Sequence, residues 1–317
     1  MPSREEVVEA LLCPFPPVLN SGLETAQAHS VEWVAAHGLL EGEALHQAKA
    51  ARIAWMIAGF YPTAEQARLN VASDYLTWAY SLDDVGDESE TGHHAETLLT
   101  LFASFEEVFA GAPPREGESG LVRGLRDVVA RLRPLCTESQ IRAFHEGNRA
   151  YWGAMLWEAK NREDGTVPSE EVFLTLRPAA GAVPPFFALI EPMEQIDLPA
   201  AVRGNALFAE IGRLVGRVMC VINDVLSHRK ERAYGDVHNL VMVFEAHRGL
   251  ELGDAVHEVV RFTNGEVARF NELAEALIAH FPEHAAPVAR HLDVYRAMMR
   301  VTLDWTFGSS RYHGAGG

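Results

Sequence analysis

The chain is 317 residues long, and its 44 Asp and Glu against 27 Lys and Arg leave a net charge of −17 with His neutral. So acidic a chain has no electrostatic means of embracing nucleic acid, whose binding rests on Lys and Arg neutralising phosphates, and an anionic membrane surface is disfavoured on the same ground. With 48% hydrophobic and 22% charged residues, the composition is that of an ordinary globular protein able to bury a sizeable core.

Three cysteines, Cys13, Cys136 and Cys220, are too few and too scattered for a disulfide framework or a Cys-based zinc site, which points to a reducing compartment. The opening MPSREEVVEALLCPFPP carries acids where a secretory signal carries bases, and no stretch reaches the roughly 18 consecutive apolar residues of a membrane span. A soluble, cytoplasmic protein without stable membrane insertion is the expectation.

In chain order, residues 1–22 are expected to form an N-terminal strap, extended and proline-bearing from 12 to 22. Helical periodicity then dominates and strict alternation is almost absent. Helices are expected at about 23–38, 43–59, 64–86, 93–111, 119–134, 137–163, 168–191, 198–232, 236–247, 252–281 and 284–309. Breaks fall on Gly and Pro, as at Gly59 to Pro62, Gly111 to Pro114, Asp164 to Pro168, Gly235-Asp236 and Phe281-Pro282. Thr137 to Gln140 and Thr166 to Glu170 resemble helix starts. With no βαβ alternation, fixed-period repeat or low-complexity linker, one all-α domain over residues 1–317 is the economical reading.

Two polar clusters interrupt this pattern. The helix through Tyr75, Trp78 and Leu82 ends in Asp83-Asp84-Val85-Gly86-Asp87-Glu88. Four acids in six residues repel one another, and the helix macrodipole disfavours anions at a C-terminus. A solvated helix end and a cation site both fit. At helical pitch Asp83 and Asp87 stand one turn apart, about 40° out of line, a spacing that offers two carboxylates to a hard divalent ion. The apolar approach through Trp78, Ala79, Tyr80 and Leu82 favours the cation site, because anions facing a buried cavity require a compensating charge.

The second cluster is Asn223-Asp224-Val225-Leu226-Ser227-His228-Arg229-Lys230-Glu231, which follows the apolar run Ile211 to Ile222. Asn223, Ser227 and Glu231 recur at i, i+4 and i+8 and share a helix face. An amide carbonyl, a hydroxyl and a carboxylate together chelate one Mg²⁺ with coordination positions to spare, and Arg229 and Lys230 lie beside them. Ser and Asn also cap or bend helices, so spacing alone leaves both readings open.

Together the clusters resemble the motifs of class I terpene synthases of the single-domain bacterial type. The first is similar to that family's DDxxD or DDxx(D/E)E, and the second matches ND(L/I/V)xSxx(K/R)E in full. Arg177 stands 46 positions before Asn223, where the family carries a diphosphate-sensing arginine. Ala180 and Gly181 follow as linker and helix-break glycine, Ala180 departing from the usual polar linker. Trp157 to Arg162 resembles a recurrent family helix, and Arg311-Tyr312, within the 310–317 tail, resembles the family's RY pair.

The resemblance implies an antiparallel helical bundle around a central apolar cavity, with both metal motifs at its mouth. It implies three Mg²⁺ ions, two on Asp83 together with Asp87, and one on Asn223, Ser227 and Glu231. Arg177, Lys230, Arg311 and Tyr312 would donate to the substrate diphosphate, and Asp84 would pair with Arg311 on closure. Phe60, Trp78, Phe186, Phe187 and Trp305 are the candidate walls for a carbocation, each also readable as plain core, and Gly181 would offer a backbone carbonyl.

The implied reaction is ionisation of an allylic isoprenoid diphosphate and cyclisation of the cation, with farnesyl diphosphate to a sesquiterpene foremost and geranylgeranyl diphosphate to a diterpene as alternative. A chain-elongating isoprenyl diphosphate synthase is the rival within prenyl chemistry, disfavoured because no second DDxxD occurs; the absence of DxDD argues against a protonation-initiated cyclase. A non-catalytic helical binding protein is the rival from another class. A homodimer is allowed by the resemblance.

Overall fold

Hydroxyl and amide caps start several helices near the expected places. The computed structural model describes residues 2–40, 42–88, 95–233 and 235–309, with the side chains of 43, 44, 47, 48, 85–88 and 95 outside that description. Ser3 and Glu6 form a reciprocal capping box at the head of α1 (Arg4–Ala10), so the segment read as a strap opens with a helix and is extended only beyond it. In chain order there follow α2 (Leu23–Ala36), α3 (Gly42–Ala51), α4 (Ile53–Phe60), α5 (Gln66–Glu88), α6 (Ala95–Phe109), α7 (Gly120–Leu132) and α8 (Glu138–Asp164). Next come α9 (Glu170–Ala180), α10 (Val183–Glu194), α11 (Ala200–Arg203), α12 (Ala206–Ala233), α13 (Leu240–Arg248), α14 (Leu252–His280) and α15 (Ala285–Gly308). No strand occurs among the described residues, and no single helix there is long and apolar enough to cross a membrane. Thr137 with Gln140 heads α8 and Ser169 heads α9, as their sequences indicate.

Three stretches expected as continuous helices are broken. The 43–59 stretch divides at Arg52, which takes a left-handed φ of 50°. Neither Gly nor Pro marks the spot; the turn accompanies burial of Ile53, Ala54, Met56, Ile57 and Phe60 in α4, so packing overrides local preference. The 168–191 stretch, continuous by periodicity alone, divides between α9 and α10 at the break glycine the resemblance implied, Gly181, with Ala182 at φ 54°. Pro184 and Pro185 bring no N–H, so the carbonyls of Ala180 and Gly181 lose their i+4 donors and the helix cannot continue. The 198–232 stretch divides after Gly204, and Asn205 caps α12 by accepting from the Leu207 N–H at 2.8 Å. The helix expected from 236 starts later because Asp236 accepts from the N–H groups of Val237 and His238 and Asn239 caps α13.

The helices gather into two compact units. One comprises Met1–Val18, Gly165–Gly181 and Gln195–Gly317 and is organised on α12, which packs on α9, α13, α14 and α15. Its buried stripe includes Ile211, Leu214, Val215, Val218, Ile222 and Val225. The other comprises Leu19–Asp164 and Ala182–Glu194 and is organised on α5, which packs on α2, α4, α7 and α10. Here α8 meets α10 so closely that a Cβ on Gly147 would stand 2.7 Å from the Pro185 nitrogen, which requires glycine. Asp74, wholly buried on α5, accepts from Ser30 of α2 and Arg131 of α7 and pairs with His29, tying three helices at one carboxylate.

His291 of α15 is buried against Phe208 and Tyr295, and neither ring nitrogen finds a hydrogen-bond partner among the described residues. Burial pushes its imidazole from 6.5 down to about 3. The folded protein therefore refuses a proton that the unfolded chain takes up below the ordinary histidine value. Stability should fall between pH 6.5 and about 3, by up to about 1.4 kcal/mol per pH unit, and should be unaffected by this group above 6.5. Denaturant titrations across that window are expected to show a shallower loss for His291→Leu than for the parent chain; parallel pH profiles would count against this.

Candidate active site

Helix α12 presents Asn223, Ser227 and Glu231 on successive turns. The buried Ser227 hydroxyl lies 2.7 Å from the Asn223 carbonyl and also within hydrogen-bonding reach of Glu231, and its lone pairs can serve as ligands. Glu231 is half-buried, and its Oε2 accepts from Asn239 Nδ2 at 2.7 Å. Lys230, half-buried, and Arg229, exposed, precede it.

Asp224, one position on from Asn223, is wholly buried. Its Oδ1 accepts from Arg177 Nε at 2.9 Å and Nη2 at 2.7 Å, and its Oδ2 from the Leu240 N–H at 3.1 Å. Asn239 Nδ2 also donates to the Asp224 backbone carbonyl at 2.8 Å. Burial opposes the charge on Arg177, but Asp224, Cys220 and Glu231 together outweigh it, so the guanidinium is held well above its usual range. Burial raises the Asp224 carboxyl despite the pull of Arg177. Glu231 is pushed up to about 7, by burial first and by neighbouring Asp224 second, with Arg177 and the donors Asn239 and Ser227 opposing. The wholly buried Asp224 and the half-buried Glu231 carboxyls thus crowd one guanidinium, an arrangement that a further cation relieves.

At the end of α9, Gly181 lies against α12. A Cβ placed there would meet Cys220 Sγ at 2.6 Å and Arg177 Nη1 at 3.6 Å, so the break glycine, the buried thiol and the arginine form one tight corner. Ala180, the departing linker position, is buried.

In the α5 unit, Asp83 and Asp84 are half-buried and follow the wholly buried Leu82. The Asp87 side chain lies outside the described residues, as do Arg311 and Tyr312 and hence the expected pairing of Asp84 with Arg311. Phe60 and Phe186 meet edge to face with centroids 5.8 Å apart, and Tyr75 sits 5.0 Å from Phe186. Phe187 is half-buried. Trp78 is fully buried, stacked on Tyr75, with its indole N–H on the Leu121 carbonyl at 2.8 Å, so its ring is shared with the packing of α7. Trp305 is buried on α15 in the other unit.

Residues 74–269 match the family described as terpene synthase family 2, C-terminal metal binding. The chain belongs to this family. Among curated relatives of this terpene synthase, a (+)-T-muurolol synthase ((2E,6E)-farnesyl diphosphate cyclizing) from Roseiflexus castenholzii is 29% identical over 95% of this chain and 93% of its own. Isoafricanol synthase from Streptomyces violaceusniger is 31% identical over 93% of this chain and 81% of its own. Among solved structures, linalool/nerolidol synthase from Streptomyces clavuligerus superposes with a TM-score of 0.84 at 23% identity, covering 93% of this chain and 99% of that one, which establishes the shared all-α fold.

For a metal-binding terpene synthase, the α12 residues fit a hard divalent cation. They offer amide, hydroxyl and carboxylate oxygens, and a cation beside Glu231 would relieve the crowding that raises its carboxyl. Among the described residues, which leave out the side chains of Asp87 and Glu88, no three His, Cys, Asp or Glu side chains converge.

Sequence reasoning did not single out Asn239, Cys220, Tyr61 or the role of Asp224. An Asn before the apolar Leu240-Val241 signals a helix cap, but nothing local announces its bond to Glu231. Tyr61, wholly buried, donates to the Phe186 carbonyl at 2.8 Å across 125 positions of sequence.

The Gly181 corner makes a prediction for this terpene synthase. Gly181→Ala is expected to destabilise by roughly 1–3 kcal/mol through overpacking, and Cys220→Ala in the same chain should recover most of that loss in thermal unfolding. Equal losses with and without Cys220→Ala would contradict the steric account.

Proposed function

We propose that this terpene synthase ionises farnesyl diphosphate with Mg²⁺ and closes the resulting cation to a sesquiterpene. The observation that carries the reading is the complete Asn223, Ser227 and Glu231 set on α12 with Arg177 held beside it by Asp224. The substrate assignment is supported by a relative that spans nearly the whole chain and is named as cyclising (2E,6E)-farnesyl diphosphate.

Asn223, Ser227 and Glu231 would hold one Mg²⁺, and Asp83, with Asp87, two more. When bound, Mg²⁺ supplies Lewis acidity to the departing diphosphate and a template for its oxygens. Arg177, Lys230, Arg311 and Tyr312 would donate hydrogen bonds to the same group, more strongly as negative charge gathers on it during C–O cleavage. Asp224 accepts through both Nε and Nη2 of Arg177, and that grip fixes the plane of the guanidinium and leaves its other face for an anion. The Gly181 carbonyl, deprived of an i+4 donor by Pro185, is a fixed dipole able to stabilise positive charge. Phe60, Phe186, Phe187 and Trp305 would exclude water and shield the cation, with Trp78 bracing them, each favourably placed face contributing about 0.5–2 kcal/mol.

The test is gas chromatography of products formed with Mg²⁺ from geranyl, farnesyl and geranylgeranyl diphosphates, each with and without isopentenyl diphosphate. Turnover of farnesyl diphosphate alone to a cyclic C15 hydrocarbon or alcohol is expected, and Asn223→Ala should lower its rate by roughly 10²-fold or more. Turnover of geranylgeranyl diphosphate alone would overturn the chain-length assignment. Activity only with isopentenyl diphosphate, or full activity of Asn223→Ala, would overturn the cyclase reading.

A further inference from the structure

Asn239 is wholly buried at the N-terminus of α13, and every hydrogen-bonding position of its amide group that the fold engages is assigned without ambiguity. Its Oδ1 accepts from the Val241 N–H at 2.9 Å, while Nδ2 donates one hydrogen to the Asp224 carbonyl at 2.8 Å and the other to Glu231 Oε2 at 2.7 Å. Turning the amide over would set its oxygen against two acceptors and its NH₂ against a donor, so the orientation is fixed by its partners.

The consequence falls on Glu231. A glutamate on a helix has three rotatable side-chain bonds and, by itself, no single carboxylate position. Asn239 comes from another helix, is locked by its own cap, and takes one carboxylate oxygen. The neighbouring residue repeats the device, since the Leu240 N–H holds Asp224 Oδ2 while Arg177 holds Oδ1. The start of α13 therefore fixes the carboxylates of Asp224 and Glu231, which stand two turns apart on the same side of α12.

We propose that Asn239 is a positioning residue for metal binding: it claims Glu231 Oε2, orients the carboxylate, and leaves Oε1 to ligate a divalent cation together with Asn223 and Ser227. The inference rests on the metal-binding reading of the α12 set. It assigns to Asn239 a loss of metal affinity of the size that partners of metal ligands usually carry, roughly 10–100-fold.

The experiment is titration of the full chain with Mn²⁺ in the presence of inorganic diphosphate, followed by electron paramagnetic resonance of the unbound ion. The variants are Asn239→Ser, Asn239→Thr, Asn223→Ala and Glu231→Gln, each also examined by thermal unfolding. Ser and Thr keep a hydroxyl that caps α13 but cannot reach Glu231. Both are expected to unfold cooperatively and to weaken Mn²⁺ binding roughly 10–100-fold, with no further weakening when Asn239→Ser is placed on Glu231→Gln. Wild-type affinity in Asn239→Ser, with binding lost in Asn223→Ala, would overturn the positioning role and leave the metal site standing. Losses that add in the Asn239→Ser and Glu231→Gln pair would mean that Asn239 does not act through Glu231. Loss of cooperative unfolding in both cap-preserving variants would assign Asn239 to the fold instead. Failure of the parent chain to bind Mn²⁺ with diphosphate would overturn the metal-binding reading itself, and the inference with it.

Discussion

A guanidinium and a carboxylate taken out of water together lose several kcal/mol of hydration each, and the pair Arg177 and Asp224 meets that cost with unusually full pairing. Both Nε and Nη2 of the arginine reach one oxygen of Asp224, and a backbone N–H reaches the other. An apolar pair of similar volume would often stabilise a fold as well or better, so stability alone does not explain such a contact. What the pair provides is position. It joins the end of α9 to the middle of α12 and the start of α13, and the residues bearing the chemistry hang from that junction: the break at Gly181, the Ser227 and Glu231 face, and the Asn239 cap.

The same junction explains where the sequence was informative. Helices were legible because punctuation is local: Ser169 and Thr137 sit at helix starts, and the apolar stripe of α12 has helical period. The α12 metal set was legible because its three oxygens lie on one helix and pitch alone aligns them. The break after α9 was implied at Gly181 by the resemblance, whereas apolar periodicity alone carried the expected helix straight through it. The left-handed turn at Arg52 had no signal, since a charged residue there is selected by what α4 must bury.

Contacts between distant segments were the part that periodicity does not carry. Asp224 stood inside a recognised motif, but its hold on Arg177 spans 47 positions, and the Tyr61 bond to Phe186 spans 125. Asn239 lies only eight positions beyond Glu231, yet a chain reversal separates them. The net charge of −17 was uninformative about the site in a different way. Many acids belong to exposed pairs one turn apart, such as Arg269 with Glu272 and Arg296 with Asp293, which contribute little. The consequential ones are the few that burial makes costly, Asp224 and Glu231 above all.

The most direct test of this account is a double-mutant cycle on unfolding free energy with Arg177→Met, Asp224→Asn and the two combined. Because each single change strands a buried polar partner, each should cost about 3–5 kcal/mol, and the combined variant should cost clearly less than their sum. Single losses below about 1 kcal/mol that simply add, within about 0.5 kcal/mol, would show that the pair does not hold the junction together.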